Sequence, residues 1–216
     1  IASSAVVGGG SDDACAGFST ELLTWLAAAT GAADKTARCR ALELCALVLE
    51  SVVNAEEATV DEGVWEALVA AVVPRASDKV AAVRKAACLA LRRLQDDNET
   101  ATAAVVRALE SDASADVRAA AVGALDVSKR VLPSLLEKCR DVDAKVRAAA
   151  FDALRSRVSI KGVRSDRRAP VVRRGLEDRD PTVRAAAARL LAVWFVSRSV
   201  KGDPVKLVEL LGVDQE

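Results

Sequence analysis

The sequence predicts an all-α protein of stacked antiparallel helix pairs, and three observations carry that prediction. The first is composition: of 216 residues 51% are hydrophobic, only 3% are aromatic and five are proline. Alanine, leucine, arginine and glutamate, all strong helix formers, make up nearly half of the chain. The second is period: apolar residues recur at three- and four-residue steps, as in Leu42, Cys45, Leu49 and Val52. The third is repetition. An aspartate in a turn, then Val-Arg or its equivalent, then a run of alanines and leucines occurs as Asp34…Arg38, Asp78…Arg84, Asp112…Arg118, Asp141…Arg147 and Asp178…Arg184. Self-similarity of this kind marks a repeat protein.

The elements follow in order. Residues 1–16 are small and Gly/Ser-rich and read as a flexible lead-in; residues 17–216 form the repeat body. Leu22, Leu23 and Leu26 give the first helix an apolar face that ends near Gly31, and Arg38 to Val52 is its partner. Asp61 opens a helix carrying Val64, Trp65, Leu68 and Val72, with Pro74 placed to kink its end. The partner carries Val83, Ala87, Leu91 and Leu94. Residues 99–111 and 115–126 make the third pair. In the fourth, Ser128 can cap a helix through Leu132, Leu135 and Leu136, where Pro133 is tolerated only in the first turn. Its partner spans 143–156. Residues 166–177 and 181–199 make the fifth pair, with Pro181 at a first helical position, and Asp203-Pro204 opens one further helix.

Successive pattern arginines at 38, 84, 118, 147 and 184 lie 46, 34, 29 and 37 residues apart. Irregular spacing near 40 fits HEAT-type helix pairs and not the strict periods of tetratricopeptide or ankyrin repeats. The expected fold is a HEAT-repeat α-solenoid of about five helix pairs plus a C-terminal helix. A chain that starts with Ile1 is expected to be a fragment of a longer one.

Several function classes fit poorly. With no histidine and no tyrosine, general acid–base chemistry would rest on carboxylates and lysines at helix-surface spacing, so no enzyme is expected. Gly8-Gly9-Gly10 lacks the Lys-Ser/Thr of a phosphate-binding loop. Cys15, Cys39, Cys45, Cys88 and Cys139 show no CxxC spacing and read as buried apolar residues in a reducing compartment, so neither metal nor cofactor is expected. No apolar run is long enough for a membrane span. A small-molecule substrate has no visible site.

Charge is the more informative signal. Residues 1–98 hold 9 basic and 14 acidic residues, whereas 127–200 hold 18 basic and 8 acidic. The plain reading of the Asp–Arg pattern is structural: Asp78, Asp112, Asp141 and Asp178 cap their helices, while Arg84, Arg118, Arg147 and Arg184 pair with a neighbouring repeat's aspartate. In the first copy either Arg38 or Arg40 can hold the position; Arg38 fits better. A frame does not require the basic run Arg155, Arg157, Lys161, Arg164, Arg167, Arg168, Arg173 and Arg174, relieved only by Asp166, nor Lys129 and Arg130 one repeat earlier. These residues suit the phosphate backbone of DNA, or alternatively a solvated face balanced by an acidic partner. Aromatic residues for stacking single-stranded bases are missing from the run.

Ser77–Asp97 (SDKVAAVRKAACLALRRLQDD), Val127–Leu154 with its Leu132-Pro133 step, Gly175–Trp194 (GLEDRDPTVRAAAARLLAVW) and Leu207–Asp214 together resemble the condensin complex subunit 3, or CAP-G, family. The likeness covers residues 31–214, and the Arg93–Asp96 string RLQD lifts it above generic HEAT similarity. The resemblance implies a non-catalytic condensin subunit that binds the kleisin subunit, and through it the SMC ATPase subunits, and holds double-stranded DNA in mitotic chromosome condensation. It also implies the nucleus and mitotic chromosomes, with a cytoplasmic pool, and it favours DNA as the ligand of the basic run. A general HEAT scaffold holding proteins and not DNA is the alternative.

Overall fold

Alanine-rich segments of high helix propensity give α-helix wherever a turn does not interrupt them. The computed structural model describes residues 9–54, 61–96 and 98–212, and no strand occurs among them. The α-helices are α1 (Gly9–Ala29), α2 (Lys35–Asn54), α3 (Glu62–Val72), α4 (Ala81–Leu91), α5 (Glu99–Ser111), α6 (Ala115–Ala124), α7 (Leu132–Lys138), α8 (Ala144–Arg157), α9 (Ser165–Leu176), α10 (Pro181–Val196) and α11 (Pro204–Leu211). The architecture is an all-α HEAT-repeat solenoid type, and the chain divides into two compact units, Ile1–Val105 and Val106–Glu216. Helix α1 already covers residues 9–16, the second half of the Gly/Ser-rich stretch; residues 1–8 lie outside the described residues.

In the first unit α1 packs on α2 and α3, and α2 packs on α4. Leu23, Leu26, Leu42, Cys45, Leu49, Leu68, Val83 and Leu91 are fully buried between them. Ala86, Ala87 and Ala90 are buried too, and their small side chains let α4 lie close to its neighbours. Pro74 ends α3 where a kink was expected. Having no N–H to continue the ladder, it starts a tighter 3-10 turn over Val73–Ser77. The RLQD string locks the end of α4. The Arg93 guanidinium donates to both Glu50 carboxylate oxygens at 2.9 and 2.7 Å, and buried Gln95 donates to the Leu91 carbonyl.

In the second unit α8 packs on α6, α7 and α10, while α9 packs on α10 and α11. Val146, Ala150, Phe151, Leu154, Val183 and Leu190 are fully buried. Trp194 is buried as well, and its indole N–H donates to the Val158 carbonyl at 3.1 Å. Gly175 permits the closest approach: a Cβ there would fall 2.5 Å from both the Phe151 ring and the Ala187 Cβ. Ser128 does not cap α7 with its side chain. Its carbonyl closes a turn onto Val131 and Leu132, and the helix starts only at Leu132.

The repeated arginines share one geometry. Each sends Nη1 to carbonyls five or six residues back: Arg38 to Ala32 and Ala33, Arg84 to Asp78, Arg118 to Asp112 and Ala113, Arg147 to Asp141 and Val142, Arg184 to Asp178 and Arg179. In Arg38, Arg118 and Arg147, Nε and Nη2 then grip the next turn's aspartate. Arg38 bonds Asp78 at 2.9 and 3.2 Å, Arg118 bonds Asp141 at 2.8 and 2.7 Å, and Arg147 bonds Asp178 at 2.7 and 2.8 Å. Arg38 therefore holds the first position, and Arg40 lies outside with Glu43.

The ladder aspartates do not cap the helices themselves. Asp78, Asp112, Asp141 and Asp178 accept from the N–H two residues on, in the turn. Asp34, Asp143 and Asp180 supply the helix caps instead. The reason is length: α4, α6, α8 and α10 begin three residues after the ladder aspartate, out of reach of a short side chain. Burial alone would raise the Asp78 and Asp141 carboxyls. The N–H bonds and the paired guanidinium outweigh it and hold both below the usual carboxylate range. Bonding to Arg147 does the same for Asp178, against burial.

Candidate nucleic-acid interface

Five of the expected basic residues converge on the face of α7 and α9 in the second unit. A groove of about 860 Å³ runs there, with Leu132, Pro133 and Leu136 of α7 on its walls and Lys129, Lys161, Arg164 and Arg167 around it. A smaller depression of about 190 Å³ adjoins it, lined by Arg167, Pro170, Val171 and Arg174 of α9. Arg167, Pro170, Val171 and Arg174 recur at helical spacing and so share one stripe of α9. The loop before α9 alternates: Val158, Ile160 and Val163 are buried, while Lys161 and Arg164 are exposed. Ser159 fixes the turn, its carbonyl and Oγ both accepting from the Gly162 N–H. These three buried anchors thus hold the loop so that its cations point outward.

The remaining candidates go elsewhere. Arg157 donates to the carbonyls of Leu125, Gly123 and Val122, at 2.7, 2.6 and 3.4 Å, where it closes the end of α6. Arg168 donates to the Val163 and Leu210 carbonyls, both at 2.8 Å, and ties the start of α9 to the end of α11. Both guanidinium groups serve backbone carbonyls that helix ends leave unpaired. Arg155 lies on α8 against Asp152, which also takes Arg189 of α10. Arg130 and Arg173 are exposed but do not line the groove.

Sequence reasoning missed Lys138 and Arg140, which stand in the last turn of α7 and just after it and line the two depressions. Their signal was the Lys-Cys-Arg triplet before Asp141. Lys138 donates to the Glu110 carbonyl and lies 3.8 Å from Asp141. Glu110 accepts from Ser134, and Arg164 pairs with Asp166, lowering that exposed carboxyl. Lys129, Lys161 and Arg167 make no ion pair among the described residues. The groove is therefore cationic against only two lining carboxylates, Glu110 and Glu137.

Cys45, Cys88 and Cys139 are buried and Cys39 is half-buried; Cys15 lies outside the described side chains. Burial pushes Cys45 up to about 11 and Cys139 up to about 12. No group of three metal-ligating side chains occurs among the described residues, and no described helix is long and apolar enough to cross a membrane.

No protein-family model matches the chain. It is 30% identical over 198 residues to condensin complex subunit 3 of Xenopus laevis, covering 89% of this chain and 19% of that protein. To condensin complex subunit 3 of Homo sapiens it is 31% identical over 163 residues, 74% of this chain and 16% of that one. Among solved structures it matches the S. pombe condensin Cnd3-Cnd2 subcomplex at a TM-score of 0.82 and 28% identity, over 91% of this chain and 25% of the other. An engineered protein, 18% identical over 89% of this chain with a TM-score of 0.53, shares the fold. The chain thus spans about a fifth of the length of the curated relatives it matches.

Proposed function

We propose that this chain, which belongs to the condensin complex subunit 3 family, is part of a non-catalytic condensin subunit that holds the kleisin subunit and double-stranded DNA in mitotic chromosome condensation. The observation that carries the DNA part is the gathering of Lys129, Lys161, Arg164, Arg167 and Arg174 on one face of α7 and α9. Such a cluster neutralises phosphates without reading bases, so affinity falls steeply with salt. The solved relative is a two-protein subcomplex, which supports a partner subunit; we assign that role to the kleisin. ATP hydrolysis then belongs to the SMC subunits reached through it. The working place is the nucleus and the mitotic chromosome, with a cytoplasmic pool.

The test is a gel shift of a labelled duplex at low salt, with the chain and its kleisin partner. Reversal of Lys129, Lys161, Arg164, Arg167 and Arg174 to Glu abolishes the shift and leaves helicity intact. Five phosphate contacts give a slope of about −4.5 for log affinity against log salt. A charge-reversed protein that shifts the duplex as well as its parent refutes the assignment.

A further inference from the structure

We propose that the groove between α7 and α9 is a docking site for a short acidic segment of a partner protein carrying a bulky apolar side chain. The inference shares rim charges with the DNA contact above but stands on a different observation, the apolar wall beneath them. Leu132, Pro133 and Leu136 leave part of their surface in the groove, and none of the described residues that line it is aromatic. A duplex reaches only the rim: its phosphates gain nothing from leucine, and a single-stranded base finds no ring to stack on. An aliphatic or aromatic side chain gains from covering the same surface.

Size and charge narrow the occupant. About 860 Å³ falls within the range of roughly 300–1,000 Å³ typical of sites that enclose a ligand, room for one or two large side chains. Lys129, Lys161 and Arg167 border it with no ion pair among the described residues, so a segment with flanking carboxylates meets complementary charge. An apolar centre inside a charged rim is how protein interfaces are built. Buried Ile160 and Val163 hold the loop that presents Lys161, so little ordering entropy is lost on docking.

The experiment measures fluorescence anisotropy of a labelled peptide in which Leu-Phe is flanked on each side by two glutamates, titrated with the full chain. We expect saturable binding, about tenfold weaker for a peptide of glutamates with the Leu-Phe replaced by Gly-Ser. Binding vanishes when lysines replace the flanking glutamates. Leu136→Gln lowers affinity for the Leu-Phe peptide about tenfold and leaves the duplex shift unchanged. Pro133→Ser, at an exposed position, weakens it in the same direction should Leu136→Gln disturb folding. Equal binding of the Leu-Phe and Gly-Ser peptides overturns the proposal, as does no saturable binding or unchanged affinity in both groove variants. A parent chain that binds the peptide but shifts no duplex would overturn only the DNA reading.

Discussion

Removing Arg118 tests the ladder most directly. Its partner Asp141 has a side chain only 5% exposed, and the two bidentate bonds at 2.8 and 2.7 Å supply most of its compensation. Breaking a buried pair from one side costs about 3–5 kcal/mol, because a charge is left in a poorly solvated place. Here the carboxylate keeps the Asp143 N–H at 3.0 Å and has Lys138 at 3.8 Å, which puts Arg118→Ala at the lower end, about 3 kcal/mol. At about 2–4 °C per kcal/mol for a chain of this size, the melting temperature falls by roughly 6–12 °C. Arg40→Ala is the control. Arg40 is 74% exposed and pairs only with Glu43, so less than about 1 kcal/mol is lost. The double replacement Arg118→Met with Asp141→Leu leaves no charge stranded and regains at least about 1 kcal/mol over Arg118→Ala. Urea unfolding followed by circular dichroism measures all three. Arg118→Ala no more costly than Arg40→Ala would show that the pair does not hold a buried charge, and the reasoning would fail.

Two further outcomes follow from the same geometry. Gly175→Ala forces its new methyl into Phe151 and Ala187 and destabilises the chain by about 1–3 kcal/mol; a melting temperature equal to the parent's would contradict the close approach. Acid lowers stability through the ladder. The Asp78, Asp141 and Asp178 carboxyls sit below their ordinary value, so their contribution is full above the unfolded value of about 3.9 and is lost as pH falls through the lower folded values. Thermal melts should hold steady between about pH 7 and 5.5 and drop below about pH 4, and the drop should shrink in Asp178→Asn; identical acid profiles would exclude the ladder as its cause.

Helix pairs and the arginine register were legible because both depend on local spacing. Asp141 and Arg147 are six residues apart whatever surrounds them, and that spacing lets Nη1 reach its own turn. The use of the basic run was not legible. Arg157 and Arg168 look identical to Arg164 and Arg167 in sequence. Each has a carbonyl partner more than thirty residues away, Leu125 for Arg157 and Leu210 for Arg168, and only the packing of α6 against α8 and of α9 against α11 brings it within reach. The groove was hidden for a related reason. Period marks Leu132, Leu135 and Leu136 alike as apolar, yet only Leu135 enters the core. Where α9 lies decides that the other two line an opening.

The ladder has a mechanical consequence in the second unit. Its links pass through the turns at one end of the helices, from Arg118 to Asp141 and from Arg147 to Asp178. Coulomb attraction declines gradually with separation, whereas dispersion contacts between packed side chains are forfeited within about an ångström. Under tension along the stack, the apolar contacts at the far end of the helices, those of Leu154 and Trp194 among them, part first and the paired turns part last. The unit opens like a fan about its ladder edge, and that edge sets the axis on which it springs back.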